Sequence, residues 1–335
     1  MSNQKWNVKS SEALDMTFFI NAISNDEFYN IHYYDVRSRW LNILSNDEYI
    51  RVIKIREILS ISSLCTVYNA FKMNTIEDII QFLSLVDKNV PTIDNIANVN
   101  RVINLTDIIC NNRQILLEGF QIILKHEIHF LWRQKIKPQI DIVAEEYMSI
   151  LNKLYPLHSL QLLVSHFLGE SPLSDNYSIY MCTYIKPIAV QLSKSSMAIH
   201  QGSPGYMPLL SSFLNIFVHE SIHGFQGSQD AQAEQDIILE KNILFKNKYT
   251  ELLEKWKSGS EENFVTGAEA YLTEVLGLRS YEQCINYLRS QNGGMRFAEE
   301  IYLKLREEKP DKQSTWKGYG YWLVNALKNN EITYG

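Results

Sequence analysis

The sequence predicts an α+β protein that is mostly α-helical, with a small sheet ahead of its most distinctive helix. Three observations carry this expectation. Glycine (14) and proline (8) are few among 335 residues, so helix breakers are scarce. Apolar residues make up 45% of the chain and recur at helical spacing along most of it. One stretch, Tyr177–Ile185, instead gathers β-branched and aromatic side chains, the composition of a strand.

In chain order, Glu12–Asn21 reads as a helix that Ser24, Asn25 and Asp26 break. Arg51–Phe71 is a longer amphipathic candidate, with Ile53, Leu59 and Leu64 on overlapping faces. Thr75 with Asp78 three residues on is a capping signature for a helix reaching Val86, and a turn follows at Lys88–Pro91. Residues 100–134 carry a long helical pattern that Pro138 closes, and 139–168 are helical again. Gly169–Asn176 is a loop by composition. It marks the expected boundary between an N-terminal helical region, 1–170, and a mixed C-terminal half, 171–335. After the strand at 177–185, Ala189–His200 holds a second, clearest at Ser196–His200, and Gly202–Gly205 is a loop. Tyr206–Phe225 is apolar nearly all round, the pattern of a buried helix. Polar helical residues run over 228–257, and Lys257–Glu261 is a loop. Further helices are expected over Asn263–Leu278, Ser280–Gln291, Met295–Glu308 and Thr315–Asn329.

Charge and cysteine usage narrow the function classes. With 32 basic and 38 acidic residues the net charge is −6, which lacks the basic footprint of a nucleic-acid partner. No apolar run is long enough for a membrane span. Met1–Ser11 has no apolar core of a secretory signal, so a cytoplasmic location is expected. Cys65, Cys110, Cys182 and Cys284 lie far apart and form no CxxC pair, which excludes a thiolate zinc site and a dense disulfide framework.

The chemistry concentrates in His219-Glu220-Ser221-Ile222-His223, an HExxH motif. Spacing i, i+4 on a helix puts both imidazoles on one face, within reach of a single zinc ion. Glu220, beside His219, is placed to take a proton from a metal-bound water rather than to bind the metal. Phe213, Leu214, Ile216, Phe217 and Val218 precede the motif, so its polar groups enter an apolar helix. Burying them without compensation is costly, and a metal supplies that compensation.

A catalytic zinc takes three protein ligands and a water. Gln226 and Gln229 stand where the longer motif HExxHxxGxxH has Gly and His, and every other histidine lies upstream. The third ligand is therefore expected to be a carboxylate on a following helix. Glu269, set among small residues in Thr266–Gly277, is the favoured ligand. Glu274 is a candidate partner of a ligand histidine, and Glu261 and Glu262 read as a solvated face beside the Gly-Ser loop.

HESIH followed by the Glu-bearing stretch GAEAYLTEVLG resembles the gluzincin zinc metallopeptidases, with a thermolysin-like catalytic core, over roughly residues 177–279. The match departs from the family in its third-ligand motif. Glu269 is followed by Ala270 and Tyr271, which fits neither NExxxD nor EGxxxY. The opening stretch ALDMTFFINAISNDEFY is also similar to little-characterised bacterial metallopeptidases. The resemblance implies one zinc per chain held by His219, His223 and Glu269, with Glu220 as general base and then acid. It implies a peptide or unfolded protein segment as substrate. It also implies an oxyanion donor from the C-terminal part, for which Tyr319 and Tyr321 in Gly318–Tyr321 are candidates, and an edge strand, Ser196–His200, that pairs with substrate. Two other readings of the same residues stay open: a zinc hydrolase of a non-peptide substrate, and a non-catalytic binding protein that zinc stabilises. His126 and His129 form a second close pair; metal sites of that spacing need further carboxylates, and in an amphipathic helix with Lys125 and Arg133 the pair reads as a solvated or interface face.

Overall fold

The computed structural model describes residues 5–86, 99–171, 176–186, 188–201, 210–256 and 259–333. The turn expected at Lys88–Pro91, the loop at Gly202–Gly205 and the start of the helix expected from Tyr206 lie outside them. The protein is mostly helical with one four-stranded sheet, the α+β class the sequence predicts. It divides into two compact units, and both are discontinuous in the chain. One holds residues 1–157 and 175–208, the other 158–174 and 209–335. The expected division at 170 is therefore replaced. The strands of 177–200 belong with the N-terminal helices, because an N-terminal strand pairs with them.

That strand, β1 (Trp6–Ser10), lies in a segment whose composition is polar. Its alternation is short but real: Trp6 and Val8 are buried and their neighbours are not. It pairs in parallel with β2 (Tyr177–Cys182), Val8 opposite Ile179. The second expected strand is a hairpin, β3 (Val190–Ser193) and β4 (Ser196–His200), turned at residues 194 and 195. The sheet order is β1-β2-β4-β3. Ser196–His200 is consequently an inner strand, bonded on one side to β2 in parallel and on the other to β3 antiparallel. The edge-strand expectation does not hold, since its main-chain groups already have partners.

Helix α1 (Glu12–Ile23) is buried on every side, and Ser11 caps it by accepting from the Leu14 amide. Asp15 on this helix meets three donors, two from the residues that follow β2 and one from a neighbouring helix. Its carboxylate accepts from the Thr183 and Tyr184 amides, each at 2.8 Å, and from Trp132 Nε1 at 2.6 Å. The single helix expected over 51–71 is interrupted at Leu59, which is extended, and Ser60 caps a new helix, α2 (Ile61–Ala70). The long pattern over 100–134 breaks at Glu127, which is left-handed with φ 57°. His126 and His129 are thereby separated, and His129 is buried rather than solvated. Pro138 does not close a helix. It sits in the first turn of α3 (Lys137–Leu154), where its missing N–H costs nothing. This helix covers β1: Asn152 Oδ1 accepts from the Trp6 amide at 3.2 Å, and Tyr155 O accepts from Trp6 Nε1 at 2.7 Å.

In the second unit the described residues form helices and no strand. These are α4 (Leu157–Leu168, joining at His158), α5 (Leu210–Ile222), α6 (Ser228–Lys241), α7 (Ile243–Trp256), α8 (Glu262–Val275), α9 (Tyr281–Arg289), α10 (Arg296–Glu308) and α11 (Tyr319–Lys328). Helix α8 is the centre, buried from Glu262 through Thr273. It lies close against α10 because Gly267 has no side chain. A Cβ there would meet Ala298 O at 2.8 Å and Ile301 Cγ2 at 2.9 Å. Among the described residues no helix is long and apolar enough to cross a membrane.

Candidate metal centre

Helix α5 carries His219 and Glu220, and His223 follows one residue past its end. Phe213, Leu214, Phe217, Val218 and Ile222 anchor the helix in the unit and are all buried. The remaining face brings His219, Glu220 and His223 together, with their potential ligand atoms within 4.8 Å of one another. Glu220 is 8% exposed. The helical spacing read from the sequence is thus realised in space.

Each histidine is oriented by a carboxylate on its Nδ1. His219 Nδ1 lies 3.0 Å from Glu269 Oε2, and His223 Nδ1 lies 2.7 Å from Glu261 Oε1. An ionised carboxylate only accepts, so both Nδ1 atoms carry the proton and donate. In neutral rings this leaves a lone pair on each Nε2. The two Nε2 atoms face each other at 3.2 Å. Two facing lone pairs repel, and the arrangement requires a proton or a metal ion between them. The separation suits a metal, since two nitrogens bound to one tetrahedral zinc at roughly 2.0–2.1 Å lie about 3.3 Å apart.

Besides Glu220, a second carboxylate lies near the Nε2 atoms, that of Glu262. Its Oε2 is 3.6 Å from His219 Nε2 and its Oε1 is 3.9 Å from His223 Nε2. It is 5% exposed and opens α8, so the solvated face expected for it is wrong. Glu269 occupies the opposite, Nδ1 side of His219 and is bound there by Arg279 Nη1 at 2.8 Å. It therefore does not lie with the two Nε2 atoms, where the expected set of His219, His223 and Glu269 would place it. The reason is helical rise: seven residues apart, Glu262 and Glu269 share one face of α8 about 10 Å apart along its axis, so His219 sits between them. The signal available in the sequence was a pair of acids at the helix start after the Gly-Ser loop. Reading loop neighbours as solvated hid it.

The electrostatics draw positive charge to this point. Burial, the largest single influence on His219, lowers its pKa. The hydrogen bond and charge of Glu269, with the charges of Glu220 and Glu262, outweigh it and raise it to about 9. Glu262 is raised, by burial first and then by Glu220 and Glu261, against the two histidines. Burial also pushes Glu261 up, but the bond to His223, the Gly224 backbone and the charges of both histidines bring it below the usual range.

The other predicted residues lie elsewhere. Glu274 accepts from Tyr302 at 2.7 Å and Arg306 at 3.0 Å, facing α10. Tyr319 is fully buried, stacked on Phe167, and its hydroxyl donates to Phe264 O at 2.7 Å. That hydroxyl is committed to the core and is not an oxyanion donor. The flanking glycines do permit close approach, but to the chain itself: a Cβ on Gly320 would lie 1.8 Å from Gln226 O. Tyr321 is 56% exposed, with the Lys317 ammonium 4.7 Å from its ring centre. No protein-family model, curated protein or solved structure matches this chain.

Proposed function

We propose that this protein is a zinc-dependent hydrolase that cleaves peptide bonds, with the metal held by His219, His223 and Glu262. One observation carries the reading. Two imidazoles have their Nδ1 atoms tied to carboxylates and bring their Nε2 atoms to within 3.2 Å of each other beside a buried glutamate. When bound, zinc supplies Lewis-acid polarisation of a carbonyl and lowers the pKa of water. Glu220 takes the proton of the attacking water and returns it to the leaving amine. Glu261 and Glu269 keep both rings in the tautomer that can bind metal. Of the two tyrosines proposed as oxyanion donors, Tyr321 at the start of α11 is the exposed one.

Glu220 argues against a purely structural zinc, which would have no use for a buried carboxylate next to its ligands. The test pairs metal analysis with a peptide-library cleavage assay. About one zinc per chain is expected. Glu220→Gln should keep the metal and lose roughly 10²–10⁴-fold in turnover. Retained zinc with no cleavage of any peptide would move the reading to the non-peptide hydrolase, and an unchanged rate in Glu220→Gln would end it.

A further inference from the structure

Building on that metal-hydrolase reading, we infer that Arg279 is a positioning residue for the metal, acting through Glu269 to hold His219 in its ligating orientation. The chain of contacts is continuous. Arg279 Nη1 donates to Glu269 Oε1 at 2.8 Å, and Glu269 Oε2 accepts from His219 Nδ1 at 3.0 Å. Both oxygens of Glu269 are thus occupied, one by each partner. The guanidinium carbon itself lies over the Tyr287 ring, 5.0 Å from its centre, on helix α9.

The local fold is built to deliver this arginine. Helix α8 ends at Val275 with Leu276 as its C-cap, and Gly277 takes the left-handed conformation, φ 70°. The Leu278 and Arg279 amides then both turn back onto Thr273 O, at 2.9 and 3.3 Å. Arg279 is thereby returned along its own helix to meet a residue ten positions earlier.

The two histidines differ in a way that explains the arginine. His223 is held by Glu261, whose side chain is 27% exposed and keeps contact with water. His219 is held by Glu269, whose side chain is 5% exposed. A carboxylate withdrawn from water is costly unless a cation and hydrogen-bond donors replace the lost hydration. Arg279 is that cation. By occupying Oε1 it leaves Oε2 for Nδ1 alone, which fixes both the carboxylate plane and the ring. Removing it frees the Glu269 carboxylate to rotate and the imidazole to follow.

The test measures zinc affinity by chelator competition in the wild type, Arg279→Gln, Arg279→Lys and Tyr287→Leu. It also records visible absorption of the cobalt-substituted proteins and thermal melts of the metal-free ones. Arg279→Gln should bind zinc about 10–100-fold more weakly and shift the cobalt bands. Arg279→Lys should recover part of both, and Tyr287→Leu should show a smaller loss. If Arg279→Gln does not fold, the last two variants carry the test. Wild-type affinity and cobalt bands in every folded variant would overturn the inference. So would a loss of affinity that tracks only the melting temperature with the cobalt bands unchanged. A wild-type chain that binds no zinc would instead overturn the metal reading, and this inference with it.

Discussion

Glu262 and Glu269 belong to one helix and meet opposite sides of one imidazole, which gives them separable effects. Glu262→Gln should weaken zinc binding more than Glu269→Gln, whose loss should stay within about 10–100-fold. Chelator competition reads the order directly, and the reverse order would return the ligand role to Glu269. Tyr319 offers a second contrast. Its hydroxyl serves the Phe264 carbonyl in the core, so Tyr319→Phe should cost about 1 kcal/mol of stability. Hydrolysis should stay within about twofold of the wild type. An oxyanion donor would instead lose on the order of 10²-fold or more in turnover.

Among the elements, α8 is the one on which the site depends, since it supplies Glu262 and Glu269 and rests directly on α10. Gly267→Ala forces a Cβ into the Ala298 carbonyl and the Ile301 side chain. It should cost about 1–3 kcal/mol in denaturant unfolding, and an unchanged midpoint would show that the helices can separate freely. Helix α1 carries a different liability. Burial raises the Asp15 carboxyl from 3.8 to about 6, even though the Thr183 and Tyr184 amides and Trp132 favour its charge. The folded protein therefore binds this proton more tightly than the unfolded chain does. Between about pH 4 and 6 stability falls as pH rises, by about 3 kcal/mol in all for roughly two units. Asp15→Asn removes that dependence, so its unfolding free energy should decline less than that of the wild type from pH 4 to 7. Parallel pH profiles from urea titrations would contradict the raised value.

At the scale of the whole molecule, the chain passes three times between its two units. A cut at residue 170 therefore damages both. The fragment 171–335 would carry β2, β3 and β4 without β1, and would lack α4, whose Phe167 stacks on Tyr319 at 5.0 Å. His166 of the same helix, which meets Asp311 O at 2.8 Å, would be lost with it. That fragment should show no cooperative thermal transition by circular dichroism. A sharp transition would mean that the second unit tolerates loss of α4.

The sequence by itself determined the helix-rich class and the His219–Glu220–His223 face. Both depend on local geometry: scarce breakers leave long helices intact, and a four-residue spacing closes one helical turn whatever surrounds it. Helix caps such as Thr75 with Asp78 were legible for the same reason. Only the tertiary structure decided which glutamate lies beside the two Nε2 atoms, because the height at which α8 passes α5 depends on packing between residues far apart in the chain. It likewise decided the partnering of β1, whose two buried residues carry too little pattern until β2 is beside them, and the inner place of β4. The same holds for Tyr319, where the glycines that suggested room for a substrate make room for the protein's own backbone.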